Sequence, residues 1–382
     1  MLTLLTNTCF TELNYIMEDN KLLTARNIID ETDKAMAELF RRRMQAAKLV
    51  AEYKIEHGLP IKDAAREEQI IRRNAEYLAG EEDMVRSSYV NFMRDVIDLS
   101  CKYQSRLFNG MNVAFCGVKG AFASIAAGKI FPDANRIGYS SFGEAYDAVV
   151  KGECDCAVLP IENSSAGDVG EVCDILFSGP LYVTATFDLA VTHDLLVLPG
   201  TDISRITRVI SHSQALAQCG KYIKTHGWQT TEYVNTALAA QYVASLGEPD
   251  TAAIASEEAA SLYGLEVADR GINESKCNTT RFAVLSAAKT ERKGSGMSNR
   301  FILMFTVRNE AGKLAEAVDI IGKHGYNMQS LRSRPMKELL WQYYFFVEAE
   351  GDIYSEKGTA LLKELSGCCD RLKLIGSFEH IS

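Results

Sequence analysis

No stretch of this sequence is apolar for long enough to cross a membrane. The first fifteen residues, mildly apolar but without Lys or Arg and without a small-residue cleavage site, make a poor secretory signal. A surplus of positive charge is missing too. Lys and Arg number 41 against 50 Asp and Glu, a formal net charge of −9, which leaves nucleic acid or an anionic membrane without electrostatic support as a partner. Any anionic ligand must be caught by local basic residues. The ten cysteines contain no CxxC pair, Cys154 and Cys156 stand too close for an ordinary bridge, and Cys368 adjoins Cys369, so reduced thiols in a cytoplasm are expected. The six histidines show no HExxH or comparable spacing, and no metal site is expected. Internal repeats and low-complexity tracts are absent as well.

What is present is length and apolar content: 382 residues, 47% hydrophobic, enough for two or three domains. Helical patterning starts at about Lys21, which makes 1–16 an extension and Met17 an alternative start. From there to residue 108 everything reads as helix, broken at His57-Gly58-Leu59-Pro60 and again near Gly80-Glu81-Glu82-Asp83. Over 110–288, short strand-like runs (Val113 to Cys116, Ala157 to Pro160, Val209 to Ser211, Ala252 to Ala255, Phe282 to Leu285) alternate with helical stretches, predicting a parallel-rich α/β domain. A polar stretch at 289–298 reads as a linker. Residues 299–382 follow the order βαββαβ, the pattern of a ferredoxin-like α+β module.

Alternating steps of three and four from Arg26 pass through Ile29, Asp33, Met36, Phe40, Arg43, Ala47, Val50 and Lys54, a packing seam that carries four charges. Burying such charges unpaired is costly, so the seam must border a polar pocket or meet anions. The helix from Lys21 to His57 would be about 55 Å long, more than one small helical domain can cover, and a second chain is expected along it. Arg43 and Lys54 share a face about 17 Å apart, within joint reach of one small ligand. Arg26 lies about 26 Å from Arg43 and must act in trans in a dimer if it acts at all. Asp63 and Glu67, with Arg66 between them, and Ser100 and Gln104 form further four-residue spacings on helical faces.

The set Arg26, Arg43, Lys54, Asp63, Arg66, Glu67, Ser100 and Gln104 resembles the all-helical chorismate mutases found fused to prephenate dehydratases. The resemblance implies that Arg43 and Arg26 from a partner hold the two carboxylates of chorismate with help from Ser100. It further implies that Lys54 and Gln104 donate to the breaking ether oxygen, and that Glu67 with Asp63 orients the ring hydroxyl. Arg66 either balances Glu67 or contacts the substrate. The rearrangement to prephenate is pericyclic, so it needs a compact conformation and charge stabilisation rather than a nucleophile or a cofactor.

In the second region the informative strings are GVKGAF (Gly117 to Phe122), PIENSSAGDV (Pro160 to Val169), SHSQ (Ser211 to Gln214) and NTTRF (Asn278 to Phe282), each beside a predicted strand. Loops at the carboxyl ends of parallel strands gather at one edge, where a ligand binds. These strings resemble the motifs of prephenate dehydratase, a two-lobed α/β fold with its site between the lobes. By that resemblance Thr280 carries catalysis, while Asn163 and Gln214 match polar positions implicated in activity. Glu162 is a second candidate proton source, and Ser164, Ser165, Gly167, Ser211 and Arg281 suit the carboxylates of prephenate. Prephenate loses carbon dioxide and its ring hydroxyl together as the ring becomes aromatic, so assistance to the departing hydroxyl suffices. The sequence departs from the commoner pattern at Val118, usually Pro, and at Ala121 and Ala123, near usual hydroxyl positions. His212 is expected to be a structural imidazole.

The last region resembles an ACT domain, a ligand-sensing module that pairs between chains and in this family binds phenylalanine. The usual GALV and ESRP read Gly312-Lys313-Leu314-Ala315 and Arg332-Ser333-Arg334-Pro335 here. Asn309, Gly312, Leu314, Arg332, Ser333 and Arg334 are the implied effector contacts, with the Arg and Lys replacements changing the local charge. The expected protein is a cytoplasmic homodimer or higher oligomer in phenylalanine biosynthesis. The alternatives are a small-molecule sensor without chemistry, which leaves the basic helical set unexplained, and an arogenate dehydratase for the second step.

Overall fold

The computed structural model describes residues 3–289, 300–336 and 342–381, and the chain divides into two compact units, 1–110 and 111–382. The predicted linker lies, but for Lys289, outside the described residues, as do Asn299 and Leu340, the expected first residues of two strands.

The first unit holds three helices: α1 (Thr3–Glu56), α2 (Ala64–Tyr77) and α3 (Asp83–Asn109). Helix α1 starts well before Lys21, so the expected extension is helical in its backbone rather than a separate segment. The chain breaks where expected, at Gly58, which takes φ +63 after α1, and around Gly80, between α2 and α3; Asp63 caps α2 by accepting the Arg66 N–H at 3.0 Å. Among the described residues only Ala47, Ala51, Val96 and Ile97 of this unit's apolar side chains are buried. Ile29, Met36 and Phe40, in the first half of the seam, are 57%, 45% and 44% exposed. Only the half from Arg43 onward packs within its own chain, as the meeting of α1 with α3 dictates.

The second unit begins with β1 (Asn112–Cys116), α4 (Phe122–Ile130), β2 (Asn135–Tyr139), α5 (Phe142–Val150), β3 (Cys156–Asn163), β4 (Gly167–Asp168), α6 (Gly170–Ser178) and β5 (Tyr182–Ala190). The chain then crosses into a second lobe with β6 (Asp194–Val197), β7 (Arg208–Ser211), α7 (Ser213–Gln218), α8 (Gly220–His226), β8 (Gln229–Glu232), α9 (Thr236–Leu246), β9 (Thr251–Ala255), α10 (Glu257–Tyr263) and β10 (Glu266–Asp269). It returns to the first lobe as β11 (Thr279–Ser286). Strands β2-β1-β3 and β9-β7-β8 are parallel, as expected. Each set is extended by antiparallel strands, β11 and β5 in one lobe and β6 and β10 in the other. The sheets are therefore mixed, because the two crossings between lobes reverse the chain direction. The crossings are tied together by Val191 N–H to Asn278 O (2.8 Å) and Ile272 N–H to His193 O (2.9 Å).

The remaining elements are β12 (Arg300–Thr306), α11 (Lys313–Lys323), β13 (Asn327–Pro335), β14 (Tyr343–Glu350), α12 (Glu356–Cys368) and β15 (Arg371–Ile381). Their strands lie in the order β13-β14-β12-β15, and the end of β15 pairs in parallel with β5, so one sheet runs on from this module into the first lobe. Both helices pack their apolar faces on a core built around Phe301, Phe305, Ile321 and Leu361. At the join Glu348, 2% exposed, is held by Arg281 (3.3 Å) and Arg300 (3.1 Å), which supplies the pairing a buried carboxylate requires. No described helix is long and apolar enough to cross a membrane, and no described cluster of His, Cys, Asp and Glu is arranged to hold a metal ion.

Candidate active sites

In the first unit a cavity of about 540 Å³ is lined by Arg43, Lys54, Asp63, Arg66, Glu67, Ser100 and Gln104, seven of the eight residues singled out in sequence. Three helices bring them together: the C-terminal half of α1, the start of α2 and the middle of α3. Arg26 is exposed far along α1 and is not among them. Arg73 also lines the cavity. The sequence signal that could have found it is its spacing, seven residues after Arg66 on the same face of α2. Four cations against two carboxylates give the cavity a net charge of +2, the complement of a dianion.

The side chains in this cavity are braced rather than loose. Arg43 donates to the Ser100 hydroxyl and, at 3.3 Å, to Val96 O, while Ser100 donates to Val96 O at 2.7 Å. Burial pushes the Arg43 pKa down from its ordinary value, so an anion in the cavity answers a desolvated guanidinium. The Lys54 ammonium donates to Ile61 O at the α1–α2 turn, which fixes it over the cavity. Gln104 Oε1 is buried without a hydrogen-bond partner among the described residues. Since the amide orientation is an assignment, the observation is an unpartnered carboxamide end in the pocket. Two of the lining residues are also engaged within α2. The Asp63 carboxylate is partly committed to capping α2, and Arg66 donates to Gln69 Oε1 at 2.5 Å instead of balancing Glu67. Glu67 is met instead by the Cys101 thiol at 3.7 Å, which burial and this carboxylate push up in pKa.

In the second unit Asn163, at the end of β3, and Thr280, at the start of β11, are cross-strand partners. Asn163 Oδ1 accepts the N–H groups of Ser165 (3.0 Å) and Ala166 (2.9 Å), which settles the orientation of its amide. Its NH₂ must therefore donate, and it reaches Thr280 Oγ1 and Asn278 Oδ1, both at 2.9 Å. Thr280 accepts this bond, so its own O–H proton remains available to a ligand. Asn278, 3% exposed, passes the same polarity onward by donating to Gln218 Oε1 at 3.0 Å. Gln218 is the residue that sequence reading missed. Gln214, the expected one, is exposed one helical turn earlier, and its N–H donates to Nδ1 of His212, which caps α7. Only the three-dimensional path from α7 to the head of β11 distinguishes the two glutamines.

Other expected contacts move. Ser211 is fully buried and donates to Ile254 O at 2.6 Å, so it is a strand-to-strand bond rather than a ligand contact. Ser164 donates to Cys277 O (2.9 Å) and accepts the Thr279 N–H (3.0 Å), stitching the turn to β11. Ser165 and Gly167 remain exposed on that turn, Gly167 at φ +81. Glu162 and Arg281 precede and follow the site residues, and side chains alternate along strands, so both point to the opposite face. There Arg281 pairs with Asp188 at 2.9 Å and Glu162 with Arg332 at 2.7 Å. Neither is placed to act on a ligand beside Thr280. The loop after β1 is held by the second lobe, with Ser256 Oγ donating to Gly120 O (3.2 Å) and Tyr263 O–H to Lys119 O (3.1 Å). Its hydroxyl-free sequence leaves its backbone as the usable part.

The six expected effector contacts separate by face. Asn309, Gly312 and Ser333 are exposed, and Leu314 packs against the C-terminal core. Arg332 and Arg334 turn inward, Arg332 onto Glu162 and Asp168 (2.6 Å) and Arg334 onto Asp174 (3.4 Å), so in this conformation their guanidinium groups are committed to carboxylates of the α/β region.

Comparison with known proteins finds a family model for each of the two regions that hold these residues. The chorismate mutase type II model matches residues 25–105 and the prephenate dehydratase model residues 113–290. The bifunctional chorismate mutase/prephenate dehydratase of Aquifex aeolicus is 31% identical over 369 residues, covering 95% of this chain and 98% of its own. That of Enterobacter agglomerans is 30% identical over 375 residues, covering 94% and 96%. A crystal structure of the Arthrobacter aurescens prephenate dehydratase in complex with L-Phe superposes with a TM-score of 0.65 at 26% identity, covering 70% of this chain and 89% of that one. A helical cavity suited to a dianion, followed by a two-lobed α/β unit with a directed hydrogen-bond network, thus meets two family models in the same order, and the chain belongs to the bifunctional chorismate mutase/prephenate dehydratases, enzymes of phenylalanine biosynthesis.

Proposed function

We propose that the two reactions are carried by the two residue sets described above. In the helical cavity Arg43 and Arg73 are available to one carboxylate of chorismate, and Lys54 with Gln104 donates to the ether oxygen as its bond to the ring breaks. The ammonium is already fixed by Ile61 O, so little reorganisation accompanies the charge that develops. Glu67 serves the ring hydroxyl, with the uncommitted oxygen of Asp63 as support. The second carboxylate clamp is Arg26 of a second copy. The exposed apolar first half of the α1 seam supports that dimer, since a patch of this kind on a helix needs a cover.

For the second reaction Thr280 donates its hydroxyl proton in a hydrogen bond to the departing ring hydroxyl of prephenate. Asn163 holds the Thr280 oxygen from behind, and Ser165 with the exposed turn backbone receives a carboxylate. The observation that carries this reading is the direction of the Asn163–Thr280 bond, which leaves the threonine proton outward. Thr280→Val keeps the shape and removes that proton. Turnover of prephenate is expected to fall about 100-fold, while mutase turnover on the same chain stays unchanged; unaltered dehydratase turnover would remove Thr280 from the site. No cofactor enters either reaction. The C-terminal module reads as an ACT domain with phenylalanine as effector, through its exposed residues Asn309, Gly312 and Ser333, and the protein as a cytoplasmic homo-oligomer. Prephenate rather than arogenate is taken as the second substrate.

A further inference from the structure

The dehydratase network does not end at Gln218. His193 lies in the crossing between β5 and β6, 3% exposed, and its Nε2 is 2.9 Å from Gln218 Oε1, the oxygen that already accepts from Asn278. Its backbone is fixed on both sides, N–H to Asn273 Oδ1 (3.1 Å) and C=O from Ile272 N–H (2.9 Å), and Phe122 meets the ring edge-on at 5.6 Å. Its Nδ1 is buried and without a partner among the described residues. A proton there would be a buried unsatisfied donor, so the ring is neutral and protonated at Nε2.

We propose that His193 is a positioning residue for the dehydratase reaction: its Nε2–H pins the carboxamide of Gln218 with the oxygen inside the network and the NH₂ outside it as a donor. The role rests on the reading of Thr280 and Asn163 as the site. The network is then fixed at both ends, by the Ser165 and Ala166 amides at Asn163 and by His193 at Gln218. With both anchors present, a flipped Gln218 would set its NH₂ against two donors at once. With His193 gone, only the Asn278 donor opposes the exchange of the NH₂ with the oxygen. His193 belongs to the crossing between lobes, so the orientation of a donor in the cleft is tied to the segment about which the lobes are joined.

Two amide substitutions separate positioning from bulk. The Gln side-chain nitrogen overlays the imidazole Nε2, whereas the Asn nitrogen overlays Nδ1, and both are polar. His193→Gln is expected to keep kcat for prephenate within about threefold, and His193→Asn to lose about 10- to 100-fold, with mutase turnover and thermal unfolding as controls on the same chain. In a Gln218→Met background His193→Asn should cost nothing further, because the two residues act as one unit. Equal losses in the two amide variants, or losses that multiply with Gln218→Met, would overturn the role. Imidazole nitrogen shifts of the wild-type protein, labelled at histidine, give a reading that needs no variant: a buried ring protonated at Nδ1 would also overturn it. If Thr280→Val leaves dehydratase turnover intact, the site reading fails; if it abolishes turnover while His193→Asn does not, only the His193 role falls.

Discussion

Threonine is a weak acid, and Thr280 can assist a leaving hydroxyl only as a hydrogen-bond donor. Whether it does so depends on atoms several residues away, the amide hydrogens of Ser165 and Ala166, which orient Asn163. Lys54 poses the opposite case, since an ammonium has no acceptor role and its direction is never in doubt. Its anchoring on Ile61 O leaves two hydrogens for the cavity. Lys54→Ala is expected to lower mutase turnover about 100- to 1,000-fold, with dehydratase turnover and the unfolding midpoint unchanged. A steady-state assay with chorismate checks this, and near-normal turnover would refute the assignment. Arginine behaves less predictably from sequence. Arg43 faces a ligand cavity, whereas Arg281 and Arg332, equally plausible as anion contacts on paper, are paired with carboxylates at the join between lobe and module.

At the scale of elements, the strand join β15–β5 and the helix α6 beside it show how the C-terminal module is attached. Lys373 on β15 reaches the end of α6, where it donates to Leu176 O at 2.6 Å and to Gly179 O, carbonyls left unpaired at a helix C-terminus. Burial, with Arg371 nearby, pushes its pKa down to about 8 from 10.5. Between those values the unfolded chain binds more protons than the folded one, so this group's contribution to stability rises with pH from about 8 towards 10.5 and is lost on the way down. Urea midpoints at pH 8 and pH 10 are expected to show this gain in the wild type relative to Lys373→Met; parallel behaviour of the two chains would deny it. The C-terminal elements also carry the effector reading. Calorimetry is expected to show phenylalanine binding and weaker or no binding of tyrosine, and heat from neither would dispose of the sensor role.

At the scale of the molecule, one helix belongs to two packing problems. The second half of the α1 seam lines its own cavity and the first half is exposed. If Arg26 completes a partner's site, Arg26→Ala and Lys54→Ala chains are each inactive as mutases yet complement when mixed and exchanged. Half of the dimers are then mixed and half of their sites intact, so about a quarter of wild-type turnover should return, as C2 symmetry requires. Mixed chains without recovery would place Arg26 outside the site.

The sequence alone determined the helix breaks around Gly58 and Gly80 and the seam from Arg43 to Lys54, because local spacing and turn chemistry carry those features. Only the tertiary structure decided that Gln218 and not Gln214 joins the network, that Ser211 is a buried strand bond, and that Arg281 and Arg332 bind carboxylates rather than ligand. The physical reason is that periodicity fixes which face of its own element a side chain occupies, while its partner is fixed by the element packed against that face, and nothing in local spacing names it.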